Sequence, residues 1–224
     1  EDVRFAVVWK PKLGQKAKLP KLEALISLGA GVDHVLRDPD LPDVPLVRFV
    51  DPDLTGRMME WVVLQCLMHL RRQRDYDTQQ RDHIWEQLPM PTAREVTVGI
   101  MGLGTPLTDD TRGMIDAALI SKLRAEGPLG GPIIINAGRG GSQVEADIAD
   151  ALRSGTVAGV SLDVFEIEPL PADSPLWDFD NAILTPHMAA ATDPSALVAH
   201  VKRQIGRVER GEVLEHVVDR NRGY

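Results

Sequence analysis

The chain has 224 residues, enough for one large domain or two smaller ones with a real core. It is 43% apolar and 26% charged with a formal net charge of −8, which excludes a surface built to wrap a nucleic-acid backbone or an anionic membrane. The only basic cluster, Arg71-Arg72-Gln73-Arg74, is short, is followed by acids and reads as a solvated helix face. A single cysteine, Cys66, rules out an intrachain disulfide and suits a reducing, cytoplasmic compartment. The longest apolar stretch, residues 61–68, falls short of the ~20 residues of a membrane span, and no signal peptide is visible.

Residues 4–9 (Arg-Phe-Ala-Val-Val-Trp) predict a buried strand, stopped by Lys10-Pro11. A second apolar run, 22–28, ends in Gly29-Ala30-Gly31-Val32-Asp33. Glycines there either let backbone N–H groups approach a ligand or simply permit a tight strand-to-helix turn. Residues 44–50 offer a third short strand. A helix is expected over 56–74, with Met58, Met59, Trp61, Val62, Val63, Leu64, Leu67 and Met68 going most of the way round it. Such a helix is buried, either against a second subunit or inside one. Residues 88–92 read as a linker.

Residues 96–104 look like a strand entering a glycine-rich turn. A fuller βαβ unit follows: a strand at 132–136, the loop Gly138-Arg139-Gly140-Gly141, a helix, and a strand at 157–164. That helix carries Val144, Ile148, Ala151 and Leu152 on one face, and Gly155 is placed to stop it. Asp193-Pro194 starts a last helix as N-cap and N1, with a stripe at Leu197, Val201, Ile205 and Val208 and Gly211 at its end. The pattern predicts an α/β protein with parallel sheets.

The unit that begins at residue 96 is interrupted. Gly102-Leu103-Gly104 supplies two glycines of a G-x-G-x-x-G fingerprint, but Leu107 stands where the third belongs and Thr105-Pro106 follows at once. A crossover between parallel strands needs at least ~10–12 residues, so no helix fits there. Either the half-domain is deleted or its residues are missing from the sequence. The second is the expectation, because a deletion would expose a sheet edge.

Three polar islands lie just past apolar, strand-like runs: Arg139, Glu168 and His187. Parallel strands would bring all three to one carboxyl edge, where open α/β sheets bind ligands. A guanidinium there anchors a carboxylate bidentately, or else caps a neighbouring strand. A histidine gives or takes a proton near neutral pH, and a paired carboxylate favours the imidazolium and holds one tautomer. Glu166 competes with Glu168 for that role.

The segments 29–33, 135–141, 162–171 and 185–187, in this order, resemble the D-2-hydroxyacid dehydrogenase family. The ending 218–224, with Val8-Trp9-Lys10-Pro11, is similar to its glyoxylate/hydroxypyruvate reductase branch. The resemblance implies two Rossmann-like domains, a cleft between them and a homodimer. Residues 1–92 with 188–224 would form the substrate domain. Residues 93–187 would form the dinucleotide-binding domain, with a gap at 104/105. Arg139 would bind the substrate's carboxylate and keto oxygen, His187 would be the general acid, and Glu168 would orient it. Leu28, Gly29, Ala30 and Gly31 would grip the carboxylate through their backbone, and Trp9 would line the pocket. Gly102 and Gly104 would approach the pyrophosphate. Ala137, Gly138, Arg139 and His187 would border the cofactor, and Asp163 would sit near the nicotinamide amide.

Two departures stand out: the family's first strand and helix, ahead of Glu1, and the loop that tells NADH from NADPH. The branch implies NADPH, and the activity implied is reduction of glyoxylate or hydroxypyruvate. Other family members, such as those acting on phosphoglycerate, are the alternative within the class. A non-catalytic binding scaffold is the alternative if the break is a true deletion. No metal is implied.

Overall fold

The apolar runs become short parallel strands in the computed structural model, which describes residues 2–14, 19–100 and 106–224. In chain order the elements are β1 (Phe5–Val8), β2 (Ala24–Ser27), α1 (Asp33–Leu36), β3 (Leu46–Val47), α2 (Pro52–Leu70), α3 (Gln73–Arg81), α4 (Ala117–Ile120), β4 (Ile133–Asn136), α5 (Glu145–Ser154), β5 (Gly159–Leu162), β6 (Ala182–Leu184) and α6 (Pro194–Glu209). Two compact units emerge, Glu1–Thr55 with Ala191–Tyr224, and Gly56–Ala190. Residues 56–92 thus group with the second unit. The expected break at 104/105 lies outside the described residues, as do Gly102 and Gly104. Among the described residues no helix is long and apolar enough to cross a membrane.

In the first unit the strands run parallel in the order β1-β2-β3. Phe5 to Val8 pair with Ala24 to Ser27, and Leu25 and Ile26 pair with Leu46 and Val47. β2 is buried at every position, as befits a central strand covered on both faces. Its core is Val8, Leu22, Leu25, Val32, Val35, Leu46 and Val218. The third predicted strand shrinks to Leu46–Val47, whose outer edge meets the chain's end through an antiparallel bridge from Val47 to Val217. Arg220 ties that end down by donating to the carbonyls of Pro42 and Val44.

α6 starts as predicted, with the Asp193 carboxylate accepting from the Ser195 and Ala196 N–H groups and Pro194 at N1. Its buried residues, however, are polar. His200 and Gln204 are covered, whereas Leu197, Val201, Ile205 and Val208 are half-buried. His200 meets the Phe49 ring edge-on at 5.3 Å, and Gln204 accepts from the Glu215 N–H at 3.1 Å.

In the second unit β4-β5-β6 are again all parallel, Asn136 facing Leu162 and Leu162 facing Leu184. α5 makes the crossover and buries Ile148, Ala149, Ala151 and Leu152 on the sheet. α2 forms over Pro52–Leu70 instead of 56–74, because Arg72 takes a left-handed conformation (φ 54°) and the chain restarts as α3. Of the two expected ways to bury α2, burial inside one subunit is corrected: within the chain only Trp61 and Gln65 are buried. It reaches β5 through polar contacts, with His69 Nε2 2.9 Å from Ser161 Oγ, which in turn donates to Gln65 Oε1 at 3.0 Å. Residues 96–100 join no strand, and Val98 and Ile100 are exposed. A strand forms only with a hydrogen-bonding neighbour, and none of the described residues supplies one.

Burial pushes the His69 imidazole down from 6.5 to about 4. Burial also lowers His200, helped by the Arg203 charge. A histidine whose folded pKa lies below its unfolded value costs stability as pH falls, because the unfolded chain takes the proton first. The thermal midpoint should therefore drop as pH falls from 6.5 towards 4. In His69→Gln the same scan should fall less steeply, and an identical slope would remove His69 as the cause.

Candidate active site

Because β4, β5 and β6 run the same way, the loops after Asn136, Leu162 and Leu184 leave one sheet edge. Arg139 lies in the first loop, Glu168 in the second and His187 in the third. Each loop is held by a polar side chain at or near a strand end. Asn136 is buried; its Oδ1 accepts from Gly138 N at 3.0 Å, and its Nδ2 donates to Gln143 Oε1 at 2.7 Å and to the Arg139 carbonyl at 3.2 Å. Gln143 passes the connection on, donating to the Val164 carbonyl at 2.9 Å. Between them Gly140 packs directly on the second loop: a Cβ built there would lie 1.9 Å from the Phe165 carbonyl oxygen. Arg139 is half-buried and donates to the Gly138 carbonyl at 2.8 Å.

Glu168 and His187 meet. Nδ1 of His187 is 2.9 Å from both Glu168 carboxylate oxygens, with the two side chains 37% and 21% exposed. The carboxylate also accepts from the Phe165 N–H at 3.3 Å. Glu166, the competitor, is engaged elsewhere. It accepts from Glu145 N at 2.7 Å and its own N–H donates to Glu145 Oε1 at 2.5 Å, at the start of α5. Burial, with the Glu166 charge beside it, raises the Glu145 carboxyl against the pull of the Glu166 N–H.

Asp163 directly follows β5 and is buried. Its Oδ1 accepts from Thr185 Oγ1 at 2.5 Å and Met188 N at 2.8 Å, and its Oδ2 from Ala189 N at 2.8 Å. The carboxylate is thus committed to the turn that carries His187. Sequence reasoning named Asp163 but missed this use of it, and missed Asn136, Gln143 and Thr185 altogether. The available signal was a polar residue ending an apolar strand run, since a buried polar group needs partners.

In the first unit Leu28–Gly31 leave the carboxyl end of β2, and Trp9 that of β1. Among the described residues the N–H groups of Ala30 and Gly31 meet no acceptor. The Trp9 ring lies over Gly29, where an added Cβ would come within 2.6 Å of it, and packs edge-on to His34 at 5.3 Å. Among the described residues no group of three or more His, Cys, Asp or Glu is placed to hold a metal ion.

Residues 105–189 match the family described as D-isomer specific 2-hydroxyacid dehydrogenase, NAD binding domain. Solved structures match nearly the full length of the chain. A probable 2-hydroxyacid dehydrogenase from Rhizobium etli, in complex with NADP, HEPES and tartaric acid, is 44% identical, with a TM-score of 0.90 over 99% of this chain and 86% of that one. An NADPH-dependent glyoxylate/hydroxypyruvate reductase from Sinorhizobium meliloti, in complex with NADP and sulfate, is 46% identical, with a TM-score of 0.93 and the same coverage. A D-isomer specific 2-hydroxyacid dehydrogenase from Xanthobacter autotrophicus, in complex with NADPH and MES, is 34% identical, with a TM-score of 0.90 over 99% of this chain and 85% of that one.

The Gly140 contact makes a direct prediction. Gly140→Ala must push the Arg139 loop off the Phe165 backbone, at a cost of about 3 kcal/mol or more in stability. Denaturant unfolding checks this, and a variant as stable as the parent would mean that the two loops do not pack this way.

Proposed function

Because the chain belongs to the D-isomer-specific 2-hydroxyacid dehydrogenase family, we propose that it reduces a small 2-keto acid, glyoxylate or hydroxypyruvate, to the 2-hydroxy acid with a nicotinamide dinucleotide, NADPH before NADH. The observation that carries this reading is the His187–Glu168 pair at 2.9 Å, on the sheet edge that Arg139 shares. Its similarity to an NADPH-dependent reductase of glyoxylate and hydroxypyruvate supports the substrate class and the choice of cofactor. The single cysteine and the need for reduced nicotinamide support a cytoplasmic setting.

The loop after β4 fits a nicotinamide. Ala137 and Gly138 bring only small groups to the sheet edge beside Arg139, and all three are half-buried. Gly102 and Gly104 would take the pyrophosphate on their backbone. When bound, the reduced nicotinamide supplies the hydride for the carbonyl carbon. Arg139 orients the keto acid through its carboxylate and stabilises the charge that develops on the carbonyl oxygen. His187 delivers its proton from Nε2 to that oxygen as the carbonyl becomes a hydroxyl, since Nδ1 is held by Glu168. The imidazolium ends neutral, and Glu168 keeps the ring in place throughout. In the first unit we assign the grip on the carboxylate to the Leu28, Gly29, Ala30 and Gly31 backbone, and the limit on substrate bulk to Trp9.

We also propose that the working form is a homodimer built on α2. Met59, Val63 and Leu67 recur every fourth residue and are 50%, 56% and 48% exposed, an apolar stripe that single chains rarely leave in water. A second copy of the same stripe would cover it isologously.

His187→Ala should lower turnover by about 10²–10⁴-fold while NADPH still binds in a fluorescence titration. Arg139→Ala should both raise KM for the keto acid and lower kcat. Wild-type turnover in His187→Ala, or no NADPH oxidation by the parent protein with either acid, would sink the reading. For the assembly, sedimentation should give a dimer for the parent chain and a monomer for Val63→Asp. A monomeric parent overturns the dimer alone.

A further inference from the structure

We propose that Arg48 is a substrate-binding residue, whose guanidinium supplies the positive charge for the carboxylate that the Ala30 and Gly31 N–H groups hold. The proposal rests on the reading of the chain as a reductase of small 2-keto acids, and it concerns the first unit alone.

Arg48 directly follows β3, so it stands at the carboxyl edge of the β1-β2-β3 sheet, where Trp9 follows β1 and Leu28–Gly31 follow β2. Its backbone is pinned from both sides. The Arg48 N–H donates to the His216 carbonyl at 3.1 Å, and the next N–H, that of Phe49, donates to the Gly29 carbonyl at 3.2 Å. The second bond sets residues 48–49 against the loop that carries the two unbonded amides. Consecutive Cα atoms are only ~3.8 Å apart, so Ala30 and Gly31 lie within reach of an arginine side chain there. Neighbouring N–H groups that bond to opposite sides mark extended backbone, along which side chains alternate as well. Phe49 takes the inward position, 1% exposed and edge-on to His200 at 5.3 Å, which leaves the other face to Arg48.

What the side chain lacks is an acceptor. Arg48 is half-buried, yet among the described residues its guanidinium meets no carboxylate, carbonyl or hydroxyl. The other half-buried arginines, Arg72, Arg74, Arg139, Arg207 and Arg220, each donate to an oxygen. Arg37, Arg71, Arg94 and Arg112 are as unbonded as Arg48, but they are exposed and water serves them. Asp51, the nearest acid in sequence, is used at the start of α2, where it accepts from the Asp53 N–H at 3.1 Å. A covered donor without a protein partner points to a ligand or water that fills the role. A guanidinium beside two backbone amides suits the two oxygens of one carboxylate. The charge matters because the chain as a whole carries −8, a field that repels small acids unless a local cation offsets it. An uncharged aldehyde would leave the same donors unsatisfied, so Arg48 favours keto acids over neutral carbonyl compounds.

Arg48→Gln tests this through two readouts. With NADPH at saturation, KM for glyoxylate and for hydroxypyruvate should rise about 10- to 100-fold, the loss of a charged hydrogen bond, with kcat within about threefold of the parent. Glycolate, which has no reducible carbonyl, reports binding without turnover. Titrated calorimetrically in the presence of NADPH, it should show a dissociation constant raised by a similar factor. The thermal midpoint should stay at the parental value, because the side chain makes no bond to the rest of the chain. Parental KM for both acids, or a glycolate dissociation constant equal to the parent's, overturns the proposal. A fall in kcat with KM unchanged overturns it as well, since Arg48 would then act on the reaction and not on binding. If Arg48→Gln does not fold, Arg48→Lys keeps the charge and loses the planar fork. Its KM should rise by a smaller factor, and parental KM overturns the proposal. A parent protein that turns over neither acid refutes the functional reading. The glycolate titration would still decide the role of Arg48, by a difference between parent and variant or by none.

Discussion

Parallel pairing of β4, β5 and β6 is the constraint from which everything else at the candidate site follows. Strands that run the same way deliver their outgoing loops to one edge, and two short ladders suffice here. That pairing needs a crossover, and the crossover is worth having only if α5 buries an apolar face on the sheet. Ile148, Ala149, Ala151 and Leu152 do so. Without that face, Arg139 and His187, far apart in sequence, would not share a sheet edge.

Beyond the strand ends the backbone loses its ladder partners, and buried N–H and C=O groups must find others. Asn136 and Asp163 meet this need at the ends of β4 and β5, each directing its oxygen atoms to backbone N–H groups. Gln143 then joins the Arg139 loop to the Val164 carbonyl. The result is a continuous polar layer on top of an apolar sheet. The candidate residues Arg139, Glu168 and His187 stand on this layer, partly exposed to solvent, while the layer itself is buried.

Much of this was legible in the sequence, for identifiable reasons. The βαβ unit from 132 to 164 is written in strong periodicity, so its strands, helix and Gly155 stop were readable. The common edge of Arg139, Glu168 and His187 follows from parallel strands alone. What was not readable depended on partners distant in the chain. Glu166 and Glu168 look equivalent in sequence, and only the approach of Glu145 separates them. The face that α6 buries is decided by Phe49 and the 215–216 segment, which favour His200 and Gln204 over the apolar stripe. The left-handed Arg72 that ends α2 early leaves no local sequence signal, since arginine carries no special preference for that conformation. The run 96–100 has the composition of a strand, but composition cannot supply the neighbour on which a strand depends.

The seating of Trp9 gives the molecule an optical property. Of the four tryptophans, Trp61 is buried, Trp85 and Trp177 are exposed, and Trp9 lies over Gly29 in the first unit. Its emission would therefore report a rearrangement of the Gly29 backbone on which it packs. If Trp9 limits the bulk of the substrate, as proposed, the same placement makes it an intrinsic reporter of the substrate's arrival.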